Sequence, residues 1–163
     1  MRPYLDPQNL YHHGIVVCDL DAAIGVFSRE SGLAFQDPLA VTQTVVTDSG
    51  TRKVEFQLAY SIEGPVHTEL VLQMPGTVWE TDQAAKIHHL GYWSDDLAAD
   101  GRRLEEAGMR LVVSHEPDPG SMSIFRYYQS TLGPYIELVD SCMRSTMEAA
   151  WADASAKSTR GAE

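Results

Sequence analysis

The sequence predicts an α+β fold built from two tandem β-α-β-β-β modules, because one pattern occurs twice along the chain. His12 and His89 are 77 residues apart, and an Asp-Leu pair follows each histidine at the same distance. Each copy later reaches a short apolar run with a single embedded acid, Glu69 in the first and Glu137 in the second. Self-similarity at a fixed offset indicates a duplicated architecture.

The first module begins with a strand at residues 11–17, which are rich in β-branched side chains. Asp19 is a suitable N-cap for a helix that runs to about Ser31, and Gly32 is a suitable C-terminal stop. The apolar residues of that helix recur at a spacing of three and four, which places them on one face. Turn residues then separate three predicted strands, at about 41–47, 53–60 and 66–73.

The second module repeats this order. A strand at residues 87–93 leads to Asp96 as N-cap, and a helix then continues to about Ala107 and ends at Gly108. The three strands that complete the module are expected near 109–114, 122–129 and 134–140.

Both modules are expected to share one domain. The domain covers residues 1–152, with modules at about 10–73 and 87–140 and a linker at 74–86. A final helix at 141–152 would place Met143, Met147 and Trp151 on one face, where ordinary core packing is expected. Residues 153–163 are small and polar, and a flexible tail is expected there.

Composition and charge exclude several classes of function. The chain has 163 residues, of which 44% are hydrophobic and 21% charged, as is usual for a soluble globular protein. Its formal net charge of −11 argues against nucleic acid or an anionic membrane as a partner, because both need a basic face. No apolar run approaches the roughly 20 residues of a membrane span. Cys18 and Cys142 show no metal or redox spacing, which favours a cytoplasmic protein with reduced thiols.

Four residues at matching places of the repeat are candidate metal ligands: His12, Glu69, His89 and Glu137. Each glutamate lies between apolar strand residues, and a buried carboxylate should be paired, protonated or bound to metal. Two imidazoles and two carboxylates suit a divalent metal of the zinc, nickel, cobalt or iron type.

The other histidines are expected to have structural roles. Strand alternation would point His13 and His88 away from the neighbouring ligand candidates. His67 and His115 are expected in loops or at strand edges.

A second polar strand face occurs in the first module. Within residues 54–58, Val54 and Phe56 lie on one face, and Glu55 and Gln57 lie on the other. That polar face needs either water or a functional site.

These motifs resemble the vicinal oxygen chelate superfamily over about residues 10–140, through His-His-Gly-Ile-Val-Val-Cys-Asp-Leu-Asp-Ala-Ala from position 12 and Ile-Glu-Leu-Val from position 136. The superfamily includes glyoxalase I, methylmalonyl-CoA epimerase, extradiol dioxygenases and the fosfomycin and bleomycin resistance proteins. The resemblance implies that the two modules form a cupped, mostly antiparallel sheet around a metal site.

The glyoxalase and epimerase branch is the most similar, because four ligands at one metal are typical of it. It implies one divalent ion, zinc, nickel, cobalt, manganese or iron, which stabilises an enolate while a carboxylate moves a proton. Glu55 resembles the additional base of the epimerases, and Glu137 matches the ligand that shuttles the proton in glyoxalase I. Gln57 and Tyr128 are candidate substrate contacts.

Two other functions stay open: an extradiol-type dioxygenase, and a non-catalytic small-molecule binding or resistance protein. The dioxygenases keep two histidines and one glutamate, so Glu69 argues against ring cleavage. The sequence has no dense basic cluster for CoA phosphates, which makes a small neutral keto compound at least as plausible a substrate. By analogy with the superfamily, the protein is expected to form a homodimer.

Overall fold

The computed structural model describes residues 4–131 and 133–160, which form eight β-strands and three α-helices. The first module contains β1 (Leu10–Val17), α1 (Leu20–Ser31), β2 (Leu39–Thr47), β3 (Gly50–Tyr60) and β4 (His67–Leu72). The second contains β5 (Ala85–Ser94), α2 (Leu97–Glu106), β6 (Arg110–His115), β7 (Phe125–Gln129) and β8 (Tyr135–Asp140). A 3-10 turn at Ser141–Met143 leads into α3 (Arg144–Arg160), and another precedes β1 at Pro7–Asn9.

The eight strands close into one strongly curved sheet in the order β1-β4-β3-β2-β6-β7-β8-β5. Within the described part of the chain, the first and last strands of each module are the ones that pair in parallel, β1 with β4 and β5 with β8. The two modules meet where β1 pairs with β5 and where β2 pairs with β6, both antiparallel. The predicted tandem modules and mostly antiparallel sheet are therefore confirmed.

The first two helices begin at the predicted caps and pack outside the sheet. The Asp19 carboxylate accepts a hydrogen bond from Ala22 N–H, and Asp96 accepts from Ala98 and Ala99. Helix α1 covers a small core around Leu20 and Leu70, and α2 covers one around Leu104 and Tyr128. The largest core fills the interior of the curved sheet, where the site lies.

The final helix is longer than expected. It continues through Arg160, so the segment 153–160, expected to be a flexible tail, is helical. Its alanines favour a helix, and Asp153 and Lys157 form an i,i+4 ion pair of 2.8 Å. Residues 161–163 of that tail lie outside the described residues. Within the described residues, none of the helices combines the length and the apolar character that crossing a bilayer requires.

Candidate metal centre

Four buried side chains converge inside the sheet. His12 Nε2 and His89 Nε2 are 2.9 Å apart. The Glu137 carboxylate lies 3.0 Å from the first nitrogen and 3.4 Å from the second. The Glu69 carboxylate lies 3.5 Å and 2.9 Å from the same two atoms. The structure thus brings together all four ligand candidates that the repeat predicts.

Two glycines make room for the histidine rings. Gly14 is opposite His89 and Gly91 is opposite His12, where β1 pairs with β5. A Cβ at Gly91 would lie 2.6 Å from His12 Nε2, and a Cβ at Gly14 would overlap the ring of His89. Each glycine follows the histidine of its own module by two residues. Each module therefore supplies one candidate ligand, and its glycine leaves space for the histidine ring of the other module.

A β-bulge precedes each histidine. Tyr11 is the extra residue between the pairs Leu10–Tyr92 and His12–Gly91, and His88 is the extra residue between Gly14–His89 and Ile15–Ile87. A bulge interrupts the alternation of side chains along a strand. Both residues are therefore buried beside the histidine that follows them.

The bulge corrects the expectation that His88 points away from the site. Its Nε2 lies 2.9 Å from the carbonyl oxygen of Val78, and its Nδ1 lies 2.9 Å from Nδ1 of His89. Burial, together with the neighbouring His89, lowers the pKa of His88 to about 3, so this ring is neutral.

The contact with Val78 fixes the tautomers of both rings. A carbonyl only accepts, so the single ring proton of His88 is on Nε2 and its Nδ1 accepts from His89 Nδ1–H. With an ion bound, this contact would leave the lone pair of His89 Nε2 for the metal, in place of the hydrogen bond that Nε2 makes to Glu69 in the structure. His12 has no such support, because its Nδ1 has no hydrogen-bond partner among the described residues.

Each carboxylate is paired across strands with a tyrosine, Glu69 with Tyr60 and Glu137 with Tyr127. Burial raises the pKa of Glu137 above its ordinary value, and the nearby charge of Glu69 adds to this effect. Burial also acts to raise the pKa of Glu69, but hydrogen bonding to His89 and the charge interactions with both histidines outweigh it and lower this pKa. The two carboxylates thus differ: Glu69 stays ionised, and Glu137 titrates near neutrality.

The donor set fits a divalent metal. Two ligand atoms that each lie about 2.1 Å from one ion are about 3.0 Å apart at a right angle and about 3.4 Å apart at the tetrahedral angle. The distances between the two nitrogens and from each carboxylate to them span 2.9 to 3.5 Å. The ligand atoms of His12, His89 and Glu137 all lie within 4.8 Å of one another, and Glu69 contacts both histidines from outside this set of three.

A cavity of about 220 Å³ adjoins the centre. Glu69 and Glu137 line it together with the phenols of Tyr11, Tyr60 and Tyr127. Burial raises the pKa of each of these tyrosines far above its ordinary value, so all three are neutral. Helix α3 completes the wall with Met147, Ala150 and Trp151, and the 3-10 turn before it adds Met143.

The structure places three predicted site residues elsewhere. Glu55 and Gln57 are exposed on the outer face of β3, while Phe56 and Leu58 line the cavity. The predicted base Glu55 and the predicted substrate contact Gln57 therefore lie outside this cavity, because their polar face meets water. Tyr128, the other predicted contact, is fully buried beneath α2.

Alternation along β7 explains the error at Tyr128, since Tyr127 faces the cavity and its neighbour faces the helix. His67 is not at an open edge as expected. It is buried at the start of β4, and its ring stacks on Trp151 with centroids 3.7 Å apart. His115 lies at the end of β6, and its Nδ1 accepts from Ile124 N–H.

Sequence reasoning missed several residues of the site. The tyrosines at 60 and 127 give a usable signal, since each belongs to the strand preceding an embedded glutamate. His88 gives none, because its orientation depends on a bulge that only the pairing reveals. Met143, Met147 and Trp151 pack with the main core as expected, and they also line the cavity.

Comparisons with known proteins agree with this geometry. A family model described as the Glyoxalase/Bleomycin resistance protein/Dioxygenase superfamily matches residues 11–128. The Bacillus subtilis protein YwbC, described as uncharacterized, is 27% identical over 101 residues, which is 62% of this chain and 72% of YwbC.

Solved structures show the same fold. A methylmalonyl-CoA epimerase from Mycobacterium tuberculosis is 22% identical with a TM-score of 0.58, over 86% of this chain and 92% of that one. A Streptomyces coelicolor methylmalonyl-CoA epimerase in complex with 2-nitronate-propionyl-CoA is 19% identical with a TM-score of 0.55, over 81% and 96%. The hypothetical protein BH1468 from Bacillus halodurans is 17% identical with a TM-score of 0.58, over 80% and 92%.

Proposed function

Since the chain belongs to the glyoxalase/bleomycin resistance protein/dioxygenase superfamily, we propose that it is a metal-dependent isomerase or lyase that transfers a proton on a carbonyl or α-hydroxycarbonyl compound. The observation that carries the proposal is the convergence of two imidazoles and two carboxylates at the end of a small cavity.

His12, Glu69, His89 and Glu137 would hold the ion. A divalent cation bound there would supply a Lewis acid that stabilises negative charge developing on a substrate oxygen. His89 needs no reorganisation for this role, because the proton on its Nδ1 is already held by His88. The phenols of Tyr60 and Tyr127 donate hydrogen bonds to Glu69 and Glu137 and would hold these carboxylates in place.

Glu137 is the proposed proton carrier. It lines the cavity beside the two histidines, where a carboxylate can take a proton from a substrate carbon and return it. Glu69 is held as an anion and is the proposed charged ligand. Environments that push two carboxyl pKa values apart separate the acid/base role from the electrostatic one.

The exposed position of Glu55 favours proton transfer by one base over epimerisation by two bases. Inversion at a carbon by two bases needs groups on opposite faces of the substrate. The carboxylates that line the cavity, Glu69 and Glu137, both belong to the metal centre, and the opposite wall is apolar. A single carboxylate can remove a proton from one carbon and return it to the next. This transfer would interconvert a carbonyl group and the hydroxyl group on the neighbouring carbon.

Solvent exchange tests the proposal. The metal-free protein would be loaded in turn with zinc, nickel, cobalt, manganese and iron, and incubated in D₂O with hydroxyacetone and with 2-hydroxyacetophenone. We expect metal-dependent incorporation of deuterium at the carbon next to the carbonyl, measured by NMR, and its loss in Glu137→Gln. Glu55→Gln is the matched control and should exchange at the normal rate, because its side chain is exposed.

Two outcomes would contradict the proposal. Oxygen consumption with a catechol by the iron-loaded protein would instead show ring cleavage. Stoichiometric binding of a ligand by protein that takes up no metal would show a binding protein.

A further inference from the structure

The cavity beside the metal centre has walls that restrict what can enter it. Strands β2 and β3 contribute Val41, Phe56 and Leu58, and helix α3 contributes Met147 and Trp151. Polar side chains other than those at the centre come from two glutamines, Gln36 and Gln43. Among the described residues, no lysine, arginine or histidine lines this cavity.

The volume limits the part of a ligand that can be buried beside the metal centre. An apolar cavity of about 150 Å³ holds benzene, whereas this one measures about 220 Å³. The additional space suits a single ring with a short oxygenated side chain. The oxygens would lie towards Glu69 and Glu137, and the ring would lie among the apolar walls.

The charge at the rim opposes an anionic ligand. A second depression adjoins the cavity and shares Gln36, Leu39 and Ala150 with it. Asp37, Asp153 and Lys157 line that depression, and the lysine is 2.8 Å from Asp153. The rim therefore offers no excess positive charge to a phosphate, and burying an unpaired anion in an apolar cavity is costly.

We propose that this cavity selects a neutral carbonyl compound of single-ring size, and that α3 sets the size limit. That the ligand is a carbonyl compound rests on the proposed function, whereas its size and its lack of charge are inferred from the cavity alone. The residues of α3 that line the cavity recur at spacings of three and one, so they form one face of the helix: Met147, Ala150 and Trp151.

Ala150 gives a test that leaves the metal centre untouched. It lines the cavity but is exposed on α3, so Ala150→Phe should fold normally and narrow the entrance. Ala149 is also exposed and does not line the cavity, which makes Ala149→Phe the matched control. Calorimetry would measure binding of 2-hydroxyacetophenone, hydroxyacetone and propionyl-CoA to each metal-loaded protein, with the metal content determined in parallel.

The unmodified protein should bind 2-hydroxyacetophenone at least about 10-fold more tightly than propionyl-CoA. Ala150→Phe should weaken binding of the ring compound by about 10-fold, while Ala149→Phe should change it by less than about 2-fold. Hydroxyacetone lacks the ring and should bind equally to all three proteins. Equal or tighter binding of propionyl-CoA, or an Ala150→Phe protein that binds the ring compound normally, would overturn the proposal.

The two proposals fail in different ways. If the ring compound binds with this dependence on Ala150 but no deuterium exchange occurs, the proposed function is wrong and the selectivity is right. If exchange occurs on hydroxyacetone or a CoA thioester without preference for the ring compound, the selectivity is wrong and the proposed function stands.

Discussion

Adding one methyl group at Gly91 should disrupt the proposed metal centre without replacing any of its proposed ligands. The alanine Cβ would lie 2.6 Å from His12 Nε2, and two other ring atoms are closer still. Since ordinary contacts of this kind are about 3.5 Å, the ring must move by at least about 1 Å. Metal–nitrogen bonds tolerate deviations of about 0.2 Å, so the shift removes His12 from the ligand set.

We expect Gly91→Ala to weaken zinc binding by at least about 100-fold, equivalent to about 2.8 kcal/mol. Gly14→Ala should have a similar effect through His89, because the two modules are related by the repeat. Competition with a chromophoric chelator measures the affinity. Gly25→Ala is the matched control, since a Cβ there meets nothing within 4 Å. It lies in α1 and should raise the free energy of unfolding by about 0.5–1 kcal/mol.

A Gly91→Ala protein that folds and binds zinc with the normal affinity would refute this reasoning. It would mean either that the ring of His12 is free to move without loss, or that His12 is not a ligand. Loss of affinity in Gly25→Ala would show that the effect is not specific to the space around the histidines.

Three further predictions follow from the same geometry. His88→Phe should weaken metal binding by about 10- to 100-fold, because His89 loses the partner that fixes its tautomer; an unchanged affinity would show that the contact is incidental. Metal affinity should be nearly constant above about pH 8 and fall as the pH drops through the raised pKa of Glu137, about 7, because the proton competes with the ion. Chelator competition across this pH range measures the metal affinity. An affinity that stays constant down to pH 6 would contradict the raised pKa of Glu137, because a carboxyl with the ordinary pKa of 4.5 would give that result. Trp151→Ala should lower the free energy of unfolding by about 3 kcal/mol in urea titrations, because its ring is buried and stacks on His67, and a loss below about 1 kcal/mol would argue against this packing.

The repeat was sufficient to locate the candidate ligands before the fold was known. Equivalent positions in duplicated modules come close together when the modules pack symmetrically, and here β1 pairs with β5 along the axis between them. His12 and His89 therefore meet, and the parallel pairs place Glu69 beside Gly14 and Glu137 beside Gly91. The fold prediction is confirmed, while the roles of these four residues stay proposals.

Strand alternation was a weaker guide. It separated the faces of β3 correctly, but it could not say that the face with Glu55 meets water. At His88 it failed outright, because the bulge places two successive side chains in the interior. A bulge depends on the pairing of two strands distant in sequence, so a single strand carries no sign of it.

The last helix shows another limit. An apolar face with Met147 and Trp151 is equally compatible with a solid core and with the wall of a cavity. Whether this face meets a solid core or a cavity depends on the distance between the helix and the strands opposite it. No local sequence pattern encodes that distance. The expected homodimer and cytoplasmic location remain predictions.

X-ray absorption by the cobalt-loaded protein tests the central claim most directly. If His12, Glu69, His89 and Glu137 hold one divalent ion, the protein should bind one cobalt per chain. The spectrum should then show only nitrogen and oxygen neighbours at about 2.0–2.2 Å, with the outer-shell scattering of two imidazoles. Failure to retain cobalt, a sulfur neighbour, or scattering without imidazole would contradict the account.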